Sequence, residues 1–148
     1  KEKVGGNVTS EFTVAVHAIV FLNHKKTILA SDVLAENVCT NPARIRKVMA
    51  KLKKAGLVVT KEGIEGGYYF DQDPNAVNLQ QICDALDTKI VSSGWRSGNS
   101  CLKCLIASGM ADIMDEIYED LDDACKKRLS QISIQNIDDK IFKSKPAL

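Results

Sequence analysis

Two stretches hold residues whose types and spacing could do chemistry: SGNSCLKCLIASG at 97–109, with Cys101 and Cys104, and the acid-free run TNPARIRKVMAKLKKAGLV at 40–58. A Cys-x-x-Cys pair can clip a metal, cycle between thiols and a disulfide, or pack as two small apolar side chains. A zinc clip needs about two further ligands, and the chain has no second pair of this kind. If Asn99 or Ser100 caps a helix, Cys101 falls in its first turn, where unpaired amide hydrogens and the positive dipole end favour a thiolate. Cys104 then follows one turn on, with Lys103 and Arg96 adding positive charge. Oxidation of Cys101 to a sulfenic acid could be followed by attack from Cys104. Metal binding, thiol sensing and plain packing all stay open at this point. His17 and His24, seven apart on one helix, read as packing or solvent-facing residues.

The second stretch is electrostatic. The net charge of +1 conceals two blocks of opposite sign. Arg44, Arg46, Lys47, Lys51, Lys53, Lys54 and Lys61 fall between Asn37 and Lys61 with no acid among them, whereas 112–123 holds seven acids and no base. Such segregation suits one face for a polyanion and another that stays off it.

These residues need elements to position them. Phe12, Val16, Ile19, Val20 and Leu22 mark a mostly buried helix over 10–24. Ser31 or Asp32 can cap a short helix ending at Val38, and Thr40 or Asn41 can cap another that starts at Pro42. The latter places Ile45, Val48, Met49 and Leu52 on one stripe, with Arg44, Lys47, Lys51 and Lys54 within about 80° of each other on the opposite side. Gly56 ends it. Strands at 57–60 and 68–70 flank a glycine-rich turn over 61–67, and a further short helix runs from Leu79 to Leu86. After a Ser- and Gly-rich loop containing Trp95, a helix of about 30 residues extends from Cys101 to about Ile132. Its stripe of Ile106, Met110, Ile113, Ile117, Leu121 and Cys125 is longer than a domain of this size covers alone, and a second copy is the simplest cover. The tail, 134–148, can add a last short helix around Ile137 and Phe142.

Helix, helix, turn, helix and glycine-tipped hairpin is the order of a winged helix-turn-helix, so the expected fold is mainly α with a small β-hairpin wing plus a long C-terminal dimerisation helix. Thr40, Asn41, Pro42, Arg44, Lys47 and Lys51 are the expected DNA-binding residues of the recognition helix. Lys61, Gly66 and Gly67 are those of the wing. Arg can bond guanine and Asn adenine through two parallel hydrogen bonds, and lysines suit phosphates.

With that order in view, the chain resembles the Rrf-two family of bacterial winged helix-turn-helix transcription regulators. The likeness runs from Ser10 nearly to the end and rests on the early buried helix, TNPARIRKVMAKLKKAGLV, the wing GIEGGYYF and the long C-terminal helix. It implies a homodimer on a partly palindromic double-stranded DNA operator, one recognition helix per half-site. Glu62 stands where the family's wing usually has a basic residue. Several members hold an iron-sulfur cluster on three cysteines before the long helix; here 84–100 contains no cysteine, so the resemblance places the chain in the cluster-free branch, with no metal or cofactor and with Cys101 and Cys104 as a candidate redox sensor.

Other classes fit less well. Five irregularly spaced cysteines do not form the paired framework of a small secreted protein. With no apolar run near the roughly 18 residues of a membrane span, a cytoplasmic protein is expected. An enzyme is not expected, because Cys-x-x-Cys oxidoreductases place the pair after a strand in a βαβ unit that is missing. An iron-sulfur or other metal-sensing regulator, a regulator responsive to a small molecule, and a helical adaptor for another protein remain as alternatives. The chain divides into a disordered start or expression remnant at 1–9, a DNA-binding domain at 10–73, a connecting helix and sensor loop at 74–100, and the dimerisation helix and tail at 101–148.

Overall fold

The computed structural model describes residues 6–143, with side chains from Ser10 onward. Among them the elements run α1 (Gly6–Lys25), α2 (Ser31–Val38), α3 (Pro42–Lys54), β1 (Val59–Lys61), β2 (Gly67–Tyr69), α4 (Leu79–Ala85), α5 (Leu105–Leu129) and α6 (Ile134–Phe142). This is the mainly helical, winged architecture with a long C-terminal helix that the sequence predicts. Part of the expected disordered start, 1–5, and the end of the expected tail, 144–148, lie outside the described residues. Helix α1 begins at Gly6 rather than Ser10. Extending an existing helix costs far less than nucleating one, so the poorly helical Asn7, Val8 and Thr9 can join it.

The helix-turn-helix is fixed by its caps. Cys39 takes the left-handed conformation (φ 63°, ψ 50°), and its amide and that of Thr40 donate to the Glu36 and Ala35 carbonyls, ending α2 sharply. Asn41 then caps α3: its Oδ1 accepts from the Arg44 amide at 2.8 Å, with Pro42 in the first helical position. At the far end Gly56 (φ 78°) lets its own amide reach the Lys53 carbonyl and that of Leu57 reach Leu52, closing the carbonyl end. Ile45, Val48, Met49 and Leu52 are wholly buried with Ile19, Leu22 and Leu34. Each such side chain contributes about 1.5–3 kcal/mol on burial. For α2 the expected cap is corrected: Ala30, with extended backbone, precedes the helix and no side chain caps it. Ser31 is already helical, and its Oγ accepts from Arg46 Nη1 at 3.2 Å.

The wing pairs Val59 with Tyr69, Thr60 with Tyr68 and Lys61 with Gly67. Both strands are shifted from the expected ranges because Leu57, Val58 and Phe70 turn into the core instead of extending the ladder. A third piece, invisible to periodicity, joins them: Leu29 and Tyr68 exchange two backbone hydrogen bonds of 2.9 Å. At Gly67 any Cβ would strike the Leu29 carbonyl, so glycine is required for this close approach.

Helix α4 has a reciprocal cap between Asn78 and Gln81, and α6 has one between Ser133 and Asn136. Leu79 donates to the Ile132 carbonyl, Ile134 donates to Val77, and Ile134 is fully buried in the common core. Thus the chain returns through α6 to the winged unit.

The largest departure concerns α5, which starts at Leu105 rather than Cys101 and ends at Leu129 rather than Ile132. Asn99 explains the late start: its Oδ1 accepts from the Cys101 amide, its carbonyl accepts from Leu102, and its amide donates to Ala107. Residues 99–102 are held in a turn, assisted by Gly98 at φ 70°.

Candidate nucleic-acid interface

With α3's apolar stripe facing the core, an advance of about 100° per residue centres its outer surface on Ala43, Lys47, Ala50 and Lys54. The two alanines keep this surface thin. On the flank towards α1, Arg44 is half-buried and its Nη2 donates to Ser10 Oγ. Glu11 lies 3.3 Å from Lys47 Nζ and 3.5 Å from Lys51 Nζ. Three of the residues expected to meet DNA are therefore braced by α1. Glu11 is largely covered, but the side chains of Lys47 and Lys51 are 66% and 40% exposed, so phosphates can reach both lysines.

The other flank carries Arg46 and Lys53, both exposed and absent from the expected contact set. Arg46 opens onto a polar cleft of about 420 Å³ between the start of α2 and the wing, shared with Ser31, Thr60, Lys61, Gly66 and Tyr68. The signal was available: Arg46 lies on the same outward arc as Lys47, about 100° away, but on the side opposite Arg44. Among the expected residues, Lys61, Gly66 and Gly67 line this cleft. Thr40 and Pro42 lie half-buried at the turn, and Asn41 spends its oxygen on the cap. Beyond Lys61 the wing tip reads Glu62-Gly63-Ile64-Glu65, with Ile64 fully exposed between two acids.

The expected sensor residues sit at the other end of the chain. Besides the backbone bond from Asn99 to Ala107, side chains fasten the loop over 88–104 to α5 at two places. Asp122, buried, accepts from the amides of Ile90 (2.6 Å) and Val91 (2.9 Å) through one carboxylate oxygen. Arg96 reaches Asp112 at 2.6 Å and Asp115 at 2.8 Å, and these bonds, Asp115 first, hold its guanidinium above the ordinary arginine value. From the sequence these aspartates read only as part of an acidic block that stays off a polyanion, and their separate tasks are missed. Cys101 is exposed and precedes the helix, contrary to its expected place in the first turn. Cys104 is the capping residue instead. Its thiol makes no hydrogen bond of capping geometry, yet the nearby amides of Ala107 and then Ile106 hold its pKa below the ordinary cysteine value. Burial pushes the Cys83 thiol up.

The chain matches, over residues 8–140, the model of the Rrf2 family, described as iron-dependent transcriptional regulators. It belongs to the Rrf2 family. YwnA of Bacillus subtilis (strain 168), provisionally named an HTH-type transcriptional regulator, is 24% identical over 136 residues, 91% of this chain and 99% of that one. A crystal structure of a provisionally named transcriptional regulator from Lactobacillus plantarum superposes with a TM-score of 0.78 at 25% identity, covering 88% of this chain and 89% of its own. The T. potens IscR structure shares the fold at 17% identity, with a TM-score of 0.68 over 99% of this chain and 96% of its own.

The protein is thus a DNA-binding transcription regulator with a winged-helix fold, and its family is not one of enzymes. The family description names iron, but among the described residues no group of three or more His, Cys, Asp and Glu is placed to hold a metal ion. Cys101 and Cys104 alone do not supply the thiolate set of an iron-sulfur cluster, so the residues present do not fit that group. Among the described residues, no helix is long and apolar enough to cross a membrane.

Proposed function

We propose that the chain acts in the cytoplasm as a homodimeric repressor, binding a partly palindromic operator with one α3 per half-site. The observation that carries this reading is the outward basic surface of α3 beside the wing cleft. Lys47 and Lys54 alternate there with Ala43 and Ala50, and Arg46 and Lys53 line one edge, suiting close approach at the alanines and phosphate contact by the basic side chains. Thr40, Asn41, Pro42, Arg44 and Lys51 form the leading edge and the α1 side of that surface. Lys61, Gly66 and Gly67 bring the wing to the flanking backbone. Dimerisation is supported by α5, where Ile106, Met110, Ile113, Ile117 and Leu121 are 38–70% exposed in a single copy and Cys125 is half-covered. Replacing Arg46 by Ala tests the interface: the slope of log K against log salt should fall by roughly 1.8, the counterion release of one phosphate contact in each half-site. An unchanged slope and affinity would remove Arg46 from it.

The same reading makes the thiols a switch on operator affinity, with roles adjusted to the geometry. Cys104, whose thiolate is favoured by the helix-start amides, attacks a peroxide oxygen, forming Cys104–SOH and releasing hydroxide. The Cys101 thiol then attacks that sulfur, giving the disulfide and releasing water, whose second hydrogen is the Cys101 thiol proton. Because the pKa of Cys104 is lowered, its alkylation rate should rise with pH earlier than that of free cysteine, near 8.5. Cys104→Ser should bind operator normally and lose the response to peroxide; an undiminished response would transfer the switch elsewhere.

A further inference from the structure

On the other side of the winged unit, α1, α2, α4 and α6 enclose an open cleft of about 390 Å³. Its walls are apolar: Val16 and Phe21 from α1, Leu79 from α4, and Ile137 and Ile141 from α6. One end is closed by a stacked pair, His24 on Phe142, with centroids 4.5 Å apart and planes 14° from parallel. At the mouth His17 Nε2 donates to Asn37 Oδ1 at 2.9 Å. With its oxygen so engaged, the Asn37 amide nitrogen still carries two donors.

We propose that this cleft is a binding site for a small flat aromatic anion, such as an arylcarboxylate. Three features select that chemistry. The volume lies at the small end of the range of about 300–1,000 Å³ for ligand pockets, suiting a single ring with a short substituent. The stacked imidazole and benzene rings, with Phe12 and Phe21 along α1, offer aromatic edges and faces for a planar ring. Charge points the same way: among the described lining residues none is acidic, and Lys25 Nζ lies 5.7 Å from the centroid of the lining residue Phe21. An anionic head therefore meets the two donors of the Asn37 amide nitrogen beside His17. An ammonium head meets no carboxylate among the described lining residues. None of the described lining residues comes from α5.

The full chain can be tested without DNA, which keeps this proposal independent of the operator reading. Benzoate, benzylamine and cyclohexanecarboxylate are titrated against isotope-labelled protein, following amide shifts by NMR. Benzoate should saturate, with shifts centred on Val16, His17 and Asn37. Its affinity should exceed that of benzylamine, which tests charge, and of cyclohexanecarboxylate, which tests flatness, by about tenfold each. Ile141→Trp, at a site already 40% exposed and so tolerant of size, should block the cleft and weaken benzoate by about tenfold or more. Val16→Trp gives the same outcome from the opposite wall, and dispersed amide spectra confirm that either variant is folded. Absence of saturation to about 10 mM, equal binding of benzylamine, or undiminished binding in folded Ile141→Trp would each overturn the proposal.

Discussion

Helices α3 and α5 carry the same kind of apolar stripe, spaced by threes and fours, and end in opposite environments. Ile45, Val48, Met49 and Leu52 are fully buried, whereas Ile106 and Ile113 are 70% and 53% exposed. The difference is one of neighbours. The short α3 packs on α1, α2 and α4, while α5, about 38 Å long, meets α4 near its C-terminal end, where Lys126 lies beside Asp84 and Asp122. A stripe reports that something must cover it, and only the lengths and positions of the other elements say what.

Breaking the two stripes should therefore do different things. Replacing Ile113 and Ile117 together by Asp should leave helical content and chain stability near normal but yield monomers in sedimentation. Operator affinity should drop by about 100-fold or more, since the second half-site no longer adds its contacts. A dimer that survives would show that α5 is not the seam. Leu52→Ala should do the reverse, lowering unfolding stability in urea by about 2–5 kcal/mol while the folded protein stays dimeric. If the loss is near zero, α3 is less firmly packed than its burial implies.

The comparison sharpens at the loop that α5 carries. Asp122→Ala should orphan the amides of Ile90 and Val91 and cost about 1–3 kcal/mol, read as faster hydrogen exchange at those two residues. Exchange that does not change would mean the loop is held chiefly by Arg96. The smallest effect is expected at the wing tip, where Glu62→Lys exchanges a repelled charge for an attracted one. Affinity should rise a few-fold, with the salt slope steepening by roughly 1.8 if the new lysine of each wing reaches a phosphate. No change in slope would place the tip away from the backbone.

Much of the winged unit was legible in the sequence because local chemistry determines it: Asn41 and Pro42 start α3, Gly56 ends it, and the wing glycines bracket the hairpin. The missed features depend on residues distant in the chain. Arg44 reads as an outward base reader until α1 brings Ser10 to it, and Lys47 and Lys51 read as free until Glu11 arrives between them. The start of α5 turned on Asn99, whose side chain holds the Cys101 amide and so delays the helix to Leu105. That delay also moved the favoured thiolate from Cys101 to Cys104. The Leu29–Tyr68 bridge joins single residues and leaves no periodic trace.

The central claim is that α3 surfaces from two copies read one operator. Its most direct measurement is equilibrium binding of the reduced protein, at about 150 mM salt, to duplex DNA from upstream of its own gene and to random duplex of equal length, with stoichiometry determined. The expected result is two chains per specific duplex and a preference of about 10³-fold or more over random DNA. Equal affinity for the two duplexes, or one chain per specific site, would contradict it.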